Sequence, residues 1–320
     1  MKRRRTDSLH SEVTGGPLVT VSRSSFWLED GSVVLQAEST QFKVHRTILS
    51  RHSSVFKDMF AIVRPSESEP SVEGCPLVHL SDSAQDVTYL LEALYDQTCT
   101  SRRVLPFPVV AAMLRLGTKY DFNALREEAL LRLRSEFPSS LEEWEVLPSN
   151  YTHIQDHDGI LFDIINLALE QGIGSILPMA YYLCIQDFDD ILNGIPREDG
   201  TTARIPPEVQ RTCILGREKI LVAQAENTLS WLDNDYISLT CSEREVCKAT
   251  CASLVRWVYK PQAHPGRSLE KWSQLSKGPL CPMCTVDGKE THETGRRAMW
   301  DMMPVYFGLP PWEELKDLDR

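Results

Sequence analysis

The apolar residues near the start of the chain change their spacing over a short stretch, from every second residue to every third or fourth. Apolar residues fall on Val33, Leu35 and Ala37, and Phe42 and Val44 repeat that two-residue period, which is the period of a strand. Between Ile48 and Phe60 the apolar residues lie three to four positions apart, which is the period of a helix. This change of period predicts a β-hairpin followed directly by two short helices.

The sequence that follows indicates one more strand and three more helices. Residues 77–80 have the composition of a strand, and residues 81–83 form a predicted helix cap. Stripes of apolar residues at helical spacing then occur over residues 87–95, 109–116 and 122–133. The order β-β-α-α-β-α-α-α predicts an α+β fold and not a doubly wound parallel sheet. The chain has no glycine-rich phosphate-binding loop of either standard spacing.

Three segments of this first unit are together similar to the signature of the BTB/POZ domain family. They carry an aspartate near the first strand, a Phe-x-x-His-Arg-x-x-Leu segment and a Ser-x-x-Phe-x-x-x-Phe helix, at residues 30–35, 42–49 and 53–60. The resemblance covers residues 26–137 and implies a small sheet with a cluster of helices packed on it. Residues 176–183 and 297–301 resemble segments of fungal proteins that carry a single N-terminal BTB domain.

The resemblance also implies an interaction surface. In the family, the aspartate and the His-Arg pair lie near a surface for self-association and partner docking, so Asp30, His45 and Arg46 are the expected interface residues. The alternative is a structural role, in which His45 satisfies buried backbone groups and Asp30 pairs with Arg46. Many members form homodimers by exchanging an N-terminal strand. Residues 18–21 could supply such a strand, and disorder is the alternative for them.

The chain divides into four expected segments. They are a flexible leader, a BTB/POZ domain, a mainly α-helical extension and a cysteine-containing C-terminal segment, at residues 1–24, 25–137, 138–235 and 236–320. The extension shows helical stripes over residues 161–168 and 220–229. It has no repeat of the length that builds a propeller, which disfavours a kelch-type receptor.

The cysteine spacing of the last segment carries the sharpest chemical signal. Cys281 and Cys284 have the spacing of a zinc knuckle, and Cys241 and Cys247 can supply the other two thiolates of a closed structural zinc site. Cys251 and His292 are alternative ligands. The alternative to any metal is a set of buried free thiols, and the isolated residues Cys75, Cys99, Cys184 and Cys213 are expected to be small core residues.

The bulk composition narrows the classes of partner. The formal net charge of −11 makes broad binding to a phosphate backbone unfavourable, so a nucleic acid is not the expected partner. No apolar run is long enough to span a membrane, and residues 2–5 form either a nuclear localisation signal or a solvated tail. We therefore expect a protein of the cytoplasm or nucleus, without a disulfide framework. The aromatic residues between Trp300 and Trp312 are expected to cover the core of the last segment.

These observations favour a non-enzymatic adaptor or scaffold that self-associates and docks a protein partner. Neither His-Glu-x-x-His nor a His-x-Glu with paired cysteines occurs, so no catalytic residue is predicted. Two more specific functions stay open, a substrate adaptor of a cullin-type ubiquitin ligase and a transcriptional regulator with a structural zinc module. Glu243 and Glu245 beside the cysteines argue against a basic recognition helix.

Overall fold

A five-stranded mixed sheet forms the first part of the structure. The computed structural model describes residues 21–62, 70–96, 101–233, 237–260, 263–275 and 278–318. The strands, in chain order, are β1 Ser22–Trp27, β2 Val33–Ala37, β3 Thr40–Val44, β4 Ser71–Val72 and β5 Cys75–Leu80. Their order across the sheet is β1-β3-β2-β5-β4. Strands β2 and β3 form the predicted antiparallel hairpin, whereas β1 is parallel to β3 and β5 is parallel to β2.

In the part of the domain that the structure describes, five helices share a core with this sheet. They are α1 Arg46–His52, α2 Ser54–Ile62, α3 Ala84–Tyr95, α4 Phe107–Lys119 and α5 Asn123–Glu136. Side chains cap two of these helices: the Ser53 hydroxyl accepts the Phe56 N–H at 3.0 Å at the start of α2, and Ser83, within the predicted cap region, accepts the Asp86 N–H at 3.0 Å at the start of α3. The predicted α+β fold with its small sheet and helical cluster is confirmed.

Strand β1 shows that regular structure begins earlier in the chain than expected. It begins at Ser22, inside the segment that was expected to be a flexible leader. Its first four residues are polar, and its hydrogen bonds include that from the Ser22 N–H to the Ser39 carbonyl at 2.8 Å, while Phe26 packs against the core. Hydrophobic period therefore gave no signal for it. The proposed exchanged strand at residues 18–21 lies outside the described residues except for Val21, which is exposed and precedes β1.

The extension is helical but contains one short hairpin. Its helices are α6 Leu141–Val146, α7 Ile160–Gln171, α8 Leu177–Cys184, α9 Phe188–Asn193 and α10 Pro207–Glu226. Strands β6 Ile195–Pro196 and β7 Thr202–Ala203 pair between α9 and α10. Gly194 starts this hairpin with a φ of 79°, and a Cβ there would lie 2.6 Å from the Ala203 carbonyl oxygen, so a larger residue would not fit.

One continuous core joins the domain to the extension. Buried apolar residues from the sheet, such as Phe42, contact those of α4, α7, α8 and α10 without a break. Met299, Met303 and Phe307 near the C-terminus belong to this main core as well. Gly216 on α10 makes room for Phe307, because a Cβ at that position would lie 2.3 Å from the phenyl ring.

The C-terminal segment is divided between two cores. Its described elements are α11 Arg244–Val258, α12 Trp272–Leu275, α13 Pro282–Asp301 and α14 Met303–Tyr306, with 3-10 turns at Pro265–Leu269 and Trp312–Glu314. A further 3-10 turn, Ser230–Leu232, precedes the segment. Residues 229–284 enclose a second, small core around Trp231, Trp272 and four buried cysteines, and we call this part the cysteine unit. The long helix α13 starts in that unit and ends in the main core.

This division corrects the expected role of the C-terminal aromatic residues. Trp300 and Phe307 pack in the main core, and Trp312 stacks on Trp300 with ring centroids 5.3 Å apart, so they do not cover the cysteine unit. Among the helices that the structure describes, none is long and apolar enough to cross a membrane.

Candidate interaction surface and cysteine centre

The first candidate site lies where the β1–β2 turn meets the end of β3. Asp30 occupies the turn, and its carboxylate Oδ1 is 3.0 Å from His45 Nε2. The Asp30 side chain is 83% exposed and that of His45 is 24% exposed. On its inner side, His45 Nδ1 lies 3.2 Å from the Tyr95 hydroxyl, which also accepts the His45 backbone N–H at 3.0 Å. A partly buried tyrosine on α3 thus positions a histidine that holds an exposed carboxylate.

The electrostatics keep this carboxylate ionised. The hydrogen bond from His45 holds the pKa of Asp30 below its usual range. Burial raises the pKa of the Tyr95 hydroxyl, so it stays protonated at neutral pH. The arrangement presents a fixed negative charge to solvent and can therefore recognise a basic or hydrogen-bond-donating group on a partner.

Arg46 lies beside this pair but points elsewhere. Its guanidinium donates to the Phe60 carbonyl and lies 5.0 Å from the centroid of the Phe60 ring, which ties α1 to the end of α2. The alternative prediction of an Asp30–Arg46 ion pair is wrong, because the Asp30 carboxylate contacts His45 and the Arg46 guanidinium contacts Phe60. His45 is still extended (φ −88°, ψ 116°) and α1 begins at Arg46, so the two neighbouring side chains leave in different directions.

The second candidate site is a cluster of four cysteines. The sulfur atoms of Cys241, Cys247, Cys281 and Cys284 all lie within 4.8 Å of one another, and those of Cys241 and Cys281 are 3.6 Å apart. A tetrahedral zinc ion with bonds of about 2.3 Å needs sulfur atoms about 3.8 Å apart. The four predicted ligands therefore form a group that could hold a metal ion.

Two helix starts build this cluster. Cys247 lies in the first turn of α11, Cys281 is the N-cap of α13 and Cys284 lies in its first turn, while Cys241 lies in the turn before α11. The Cys284 N–H donates to the Cys281 sulfur at 3.5 Å, and the Cys281 N–H donates to the Cys247 sulfur at 3.3 Å. Backbone donors of this kind stabilise thiolates, as they do around structural metal sites.

The thiols of the cluster differ in acidity. The hydrogen bond from the Cys284 backbone lowers the pKa of Cys281 to about 6. Burial raises the pKa of Cys247 and of Cys284. Without a metal, only one sulfur of these three is favoured as a thiolate at neutral pH, so a bound cation is the natural means of ionising the others.

The structure does not bring the alternative ligands into the cluster. Cys251 is buried one turn further along α11, where burial raises the pKa of its thiol. His292 is buried, with Nδ1 2.8 Å from the Thr228 carbonyl oxygen and Nε2 2.8 Å from that of Glu270. Both ring nitrogens thus face backbone oxygens. Of the cysteines expected to be core residues, Cys184 and Cys213 are buried and Cys75 is partly buried, while Cys99 lies outside the described residues.

One buried group of polar contacts, around Arg296, was not predicted from the sequence. Arg296 on α13 is buried, with Nη2 2.7 Å from Glu145 Oε1, Nη1 2.6 Å from Glu293 and Nε donating to the Leu269 carbonyl at 3.1 Å. It borders a cavity of about 540 Å³ that Trp144 and Tyr151 also line. The Glu293–Arg296 spacing on one helix was the available signal, but the contact with Glu145 joins distant parts of the chain.

The fold and the first site define a class of protein, an α+β interaction domain with an extension fused to it. Comparison with known families gives the domain: residues 29–134 match the family model of the BTB/POZ domain. The predicted resemblance is confirmed, and the chain contains a BTB/POZ domain, which is a protein-interaction module. No curated protein matches the chain.

Proposed function

We propose that this protein is a non-enzymatic adaptor or scaffold whose BTB/POZ domain self-associates and docks a protein partner. The observation that carries the proposal is the domain itself, matched over residues 29–134, with the exposed Asp30 carboxylate held by His45 at its surface. The carboxylate lies in an exposed turn, where its side chain contacts His45. Asp30 and His45 are the proposed contact residues, and Arg46 supports them by fixing α1 against α2.

The rest of the chain makes the adaptor rigid. Because one core runs from the sheet through α10 to Phe307, a partner on the domain and a partner on the extension would be held at a fixed distance. The C-terminus reinforces this connection: Asp317 accepts a hydrogen bond from Arg134 of α5 at 2.6 Å and from the Ser175 N–H at 2.8 Å.

The cysteine cluster is the proposed site of a structural zinc ion. Four sulfur ligands would close the coordination sphere and leave no position for a catalytic water. Such an ion would fix the starts of α11 and α13 against each other. The metal would then serve the stability of the cysteine unit and not a reaction.

Two more specific roles follow from this proposal. In a cullin-type ubiquitin ligase, the domain would bind the cullin scaffold while the extension holds a substrate; in transcriptional regulation, it would recruit other proteins. We place the protein in the cytoplasm or nucleus, which accords with free thiols at every cysteine that the structure describes. Co-purification with a cullin, in an assay that detects an established BTB adaptor, supports the ligase role, and failure there contradicts it.

Self-association is tested by light scattering on the full chain over a range of concentrations. We expect a dimer, and Asp30→Lys should raise its dissociation constant about tenfold or more, since a tenfold change corresponds to about 1.4 kcal/mol. Glu198→Lys is the matched control, because it makes the same charge change at an exposed position after strand β6. A monomer mass for the unmodified chain at every concentration contradicts self-association, and equal effects of the two variants contradict the role of Asp30.

A further inference from the structure

The four cysteines of the cluster differ in access and in mobility. Cys247, Cys281 and Cys284 are buried, whereas Cys241 is partly exposed. Cys247 and Cys284 are fixed within the first turns of α11 and α13, and Cys281 is fixed as the N-cap of α13. Cys241 lies in a turn, where its N–H donates to the Ser238 carbonyl at 3.1 Å. A small oxidant from solvent therefore reaches Cys241 first.

The sulfur of Cys281 lies in contact with that of Cys241. The two atoms are 3.6 Å apart, so a bond of about 2.05 Å requires an approach of about 1.5 Å. Cys241, a turn residue, can move by this amount without breaking helical hydrogen bonds, so the Cys281 sulfur can stay in place at the N-cap of α13.

We propose that Cys241 and Cys281 form a reversible oxidation site, at which a peroxide converts the two thiols into a disulfide and releases the metal from the cluster. The release of metal rests on the zinc site proposed above. The disulfide itself depends only on the proximity and access of the two sulfurs.

The chemistry balances with one peroxide for each disulfide. The Cys241 sulfur attacks one peroxide oxygen, the O–O bond breaks, and a sulfenic acid forms while the other oxygen leaves as water. The Cys281 sulfur then attacks the Cys241 sulfur, the S–O bond breaks, and a second water leaves. Two thiols are oxidised and one peroxide is reduced. Where the sulfurs begin as metal-bound thiolates, the two protons come from solvent and the cation departs.

The consequence is confined to one part of the protein. Two remaining sulfurs do not satisfy a four-coordinate ion, so zinc leaves and α11 loses its fixed contact with α13. The main core contains none of these four cysteines, and the BTB/POZ domain therefore keeps its fold. Oxidation would alter the surface of the cysteine unit while the domain continues to self-associate.

The test treats the full zinc-loaded chain with hydrogen peroxide. Zinc release is followed with a metal-sensitive dye, and disulfides are mapped by mass spectrometry of peptides. We expect release of one zinc per chain, a peptide pair joining Cys241 to Cys281, and recovery of zinc binding after treatment with a thiol reductant. Cys75→Ser is the matched control, since Cys75 is also a partly exposed free thiol but lies outside the cluster, and it should leave both results unchanged.

Two outcomes separate this proposal from the zinc proposal. If the purified chain binds no zinc but peroxide still joins Cys241 to Cys281, the zinc site falls and the disulfide stands. If the chain binds zinc but the mapped product is a Cys281–Cys284 disulfide, or a sulfinic acid without any disulfide, the oxidation site is overturned. Mapping in the unmodified chain decides this even if Cys241→Ser fails to fold.

Discussion

The main core and the small core of the cysteine unit bury apolar side chains in very different amounts. The main core draws large side chains such as Phe42, Phe162 and Phe307 from the sheet and from helices along most of the chain. The small core has Trp231, Trp272 and a few aliphatic residues, and four of its buried members are cysteines. Small units seldom gain enough from burial to fold alone, and metals or disulfides supply the difference. The comparison indicates that packing holds the domain, whereas the cysteine unit depends on the metal site proposed for its sulfur cluster.

Removing one thiol of the cysteine cluster should have the largest effect, and this effect should be confined to the cysteine unit. Cys247→Ala should abolish zinc binding and open residues 229–284 to proteases, because structural zinc contributes on the order of 10 kcal/mol in small domains. Zinc content and limited proteolysis measure this. Cys251→Ala is the matched control, one turn away on α11 and equally buried but outside the cluster. It should retain zinc, and loss of zinc from both variants contradicts the assignment of the ligands.

A cavity in the main core should lower the stability of the protein and leave its zinc binding unchanged. Phe42→Ala should lower the free energy of unfolding by about 3–5 kcal/mol, because Phe42 is fully buried between sheet and helices. Denaturant unfolding measures the loss, and zinc content should stay at one per chain. Phe188→Ala, at a largely exposed ring on α9, should cost less than about 1 kcal/mol. Equal losses for the two variants would show that the continuous core does not limit stability.

The contact of Asp317 with Arg134 and Ser175 tests whether the end of the chain belongs to the main core or to the cysteine unit. Asp317→Asn should cost about 1.5–3 kcal/mol, because the side chain is 3% exposed and accepts hydrogen bonds from Arg134 and Ser175. The loss should appear in the main unfolding transition and leave protease cleavage of the cysteine unit unchanged. The control, Glu313→Gln, makes the same charge change at an exposed site. A change confined to the cysteine unit would contradict the place of Asp317 in the main unit.

The smallest expected effect is a pH dependence at His292. Burial lowers the pKa of His292 from its ordinary value of 6.5, although hydrogen bonds to the Glu270 and Thr228 carbonyls act in the other direction. The unfolded chain then binds the proton first, so this group's contribution to stability is present above pH 6.5 and is lost as the pH falls below it. Melting temperatures of the chain and of His292→Gln, compared from neutral to acidic pH, measure it.

Because other groups titrate in both proteins, the difference between their melting temperatures at each pH isolates the contribution of His292. The advantage of the unmodified chain should shrink as the pH falls, by at most about 1.4 kcal/mol per pH unit. An advantage that grows on acidification would show that the two carbonyl oxygens bind a protonated His292 in the folded state.

The sequence predicted what period and spacing encode. Alternation identified β2 and β3, the helical period identified α1 to α5, and the cysteine spacing selected the four sulfurs that converge. Strand β1 escaped because its first four residues are all polar and show no alternation, although Phe26 packs against the main core. The partner of Asp30 was open because His45 and Arg46 are adjacent, and only the start of α1 decides which side chain turns toward it. Contacts such as Arg134 with Asp317 join residues too far apart in sequence for any local pattern to show.

The proposed function combines, in one chain, a self-associating BTB/POZ domain and a cysteine unit held by a metal. Native mass spectrometry of the full chain, purified without chelator, reports subunit number and bound metal in one spectrum. We expect a dimer that carries one zinc ion per chain. A monomer without metal would contradict both the proposed self-association and the proposed zinc site.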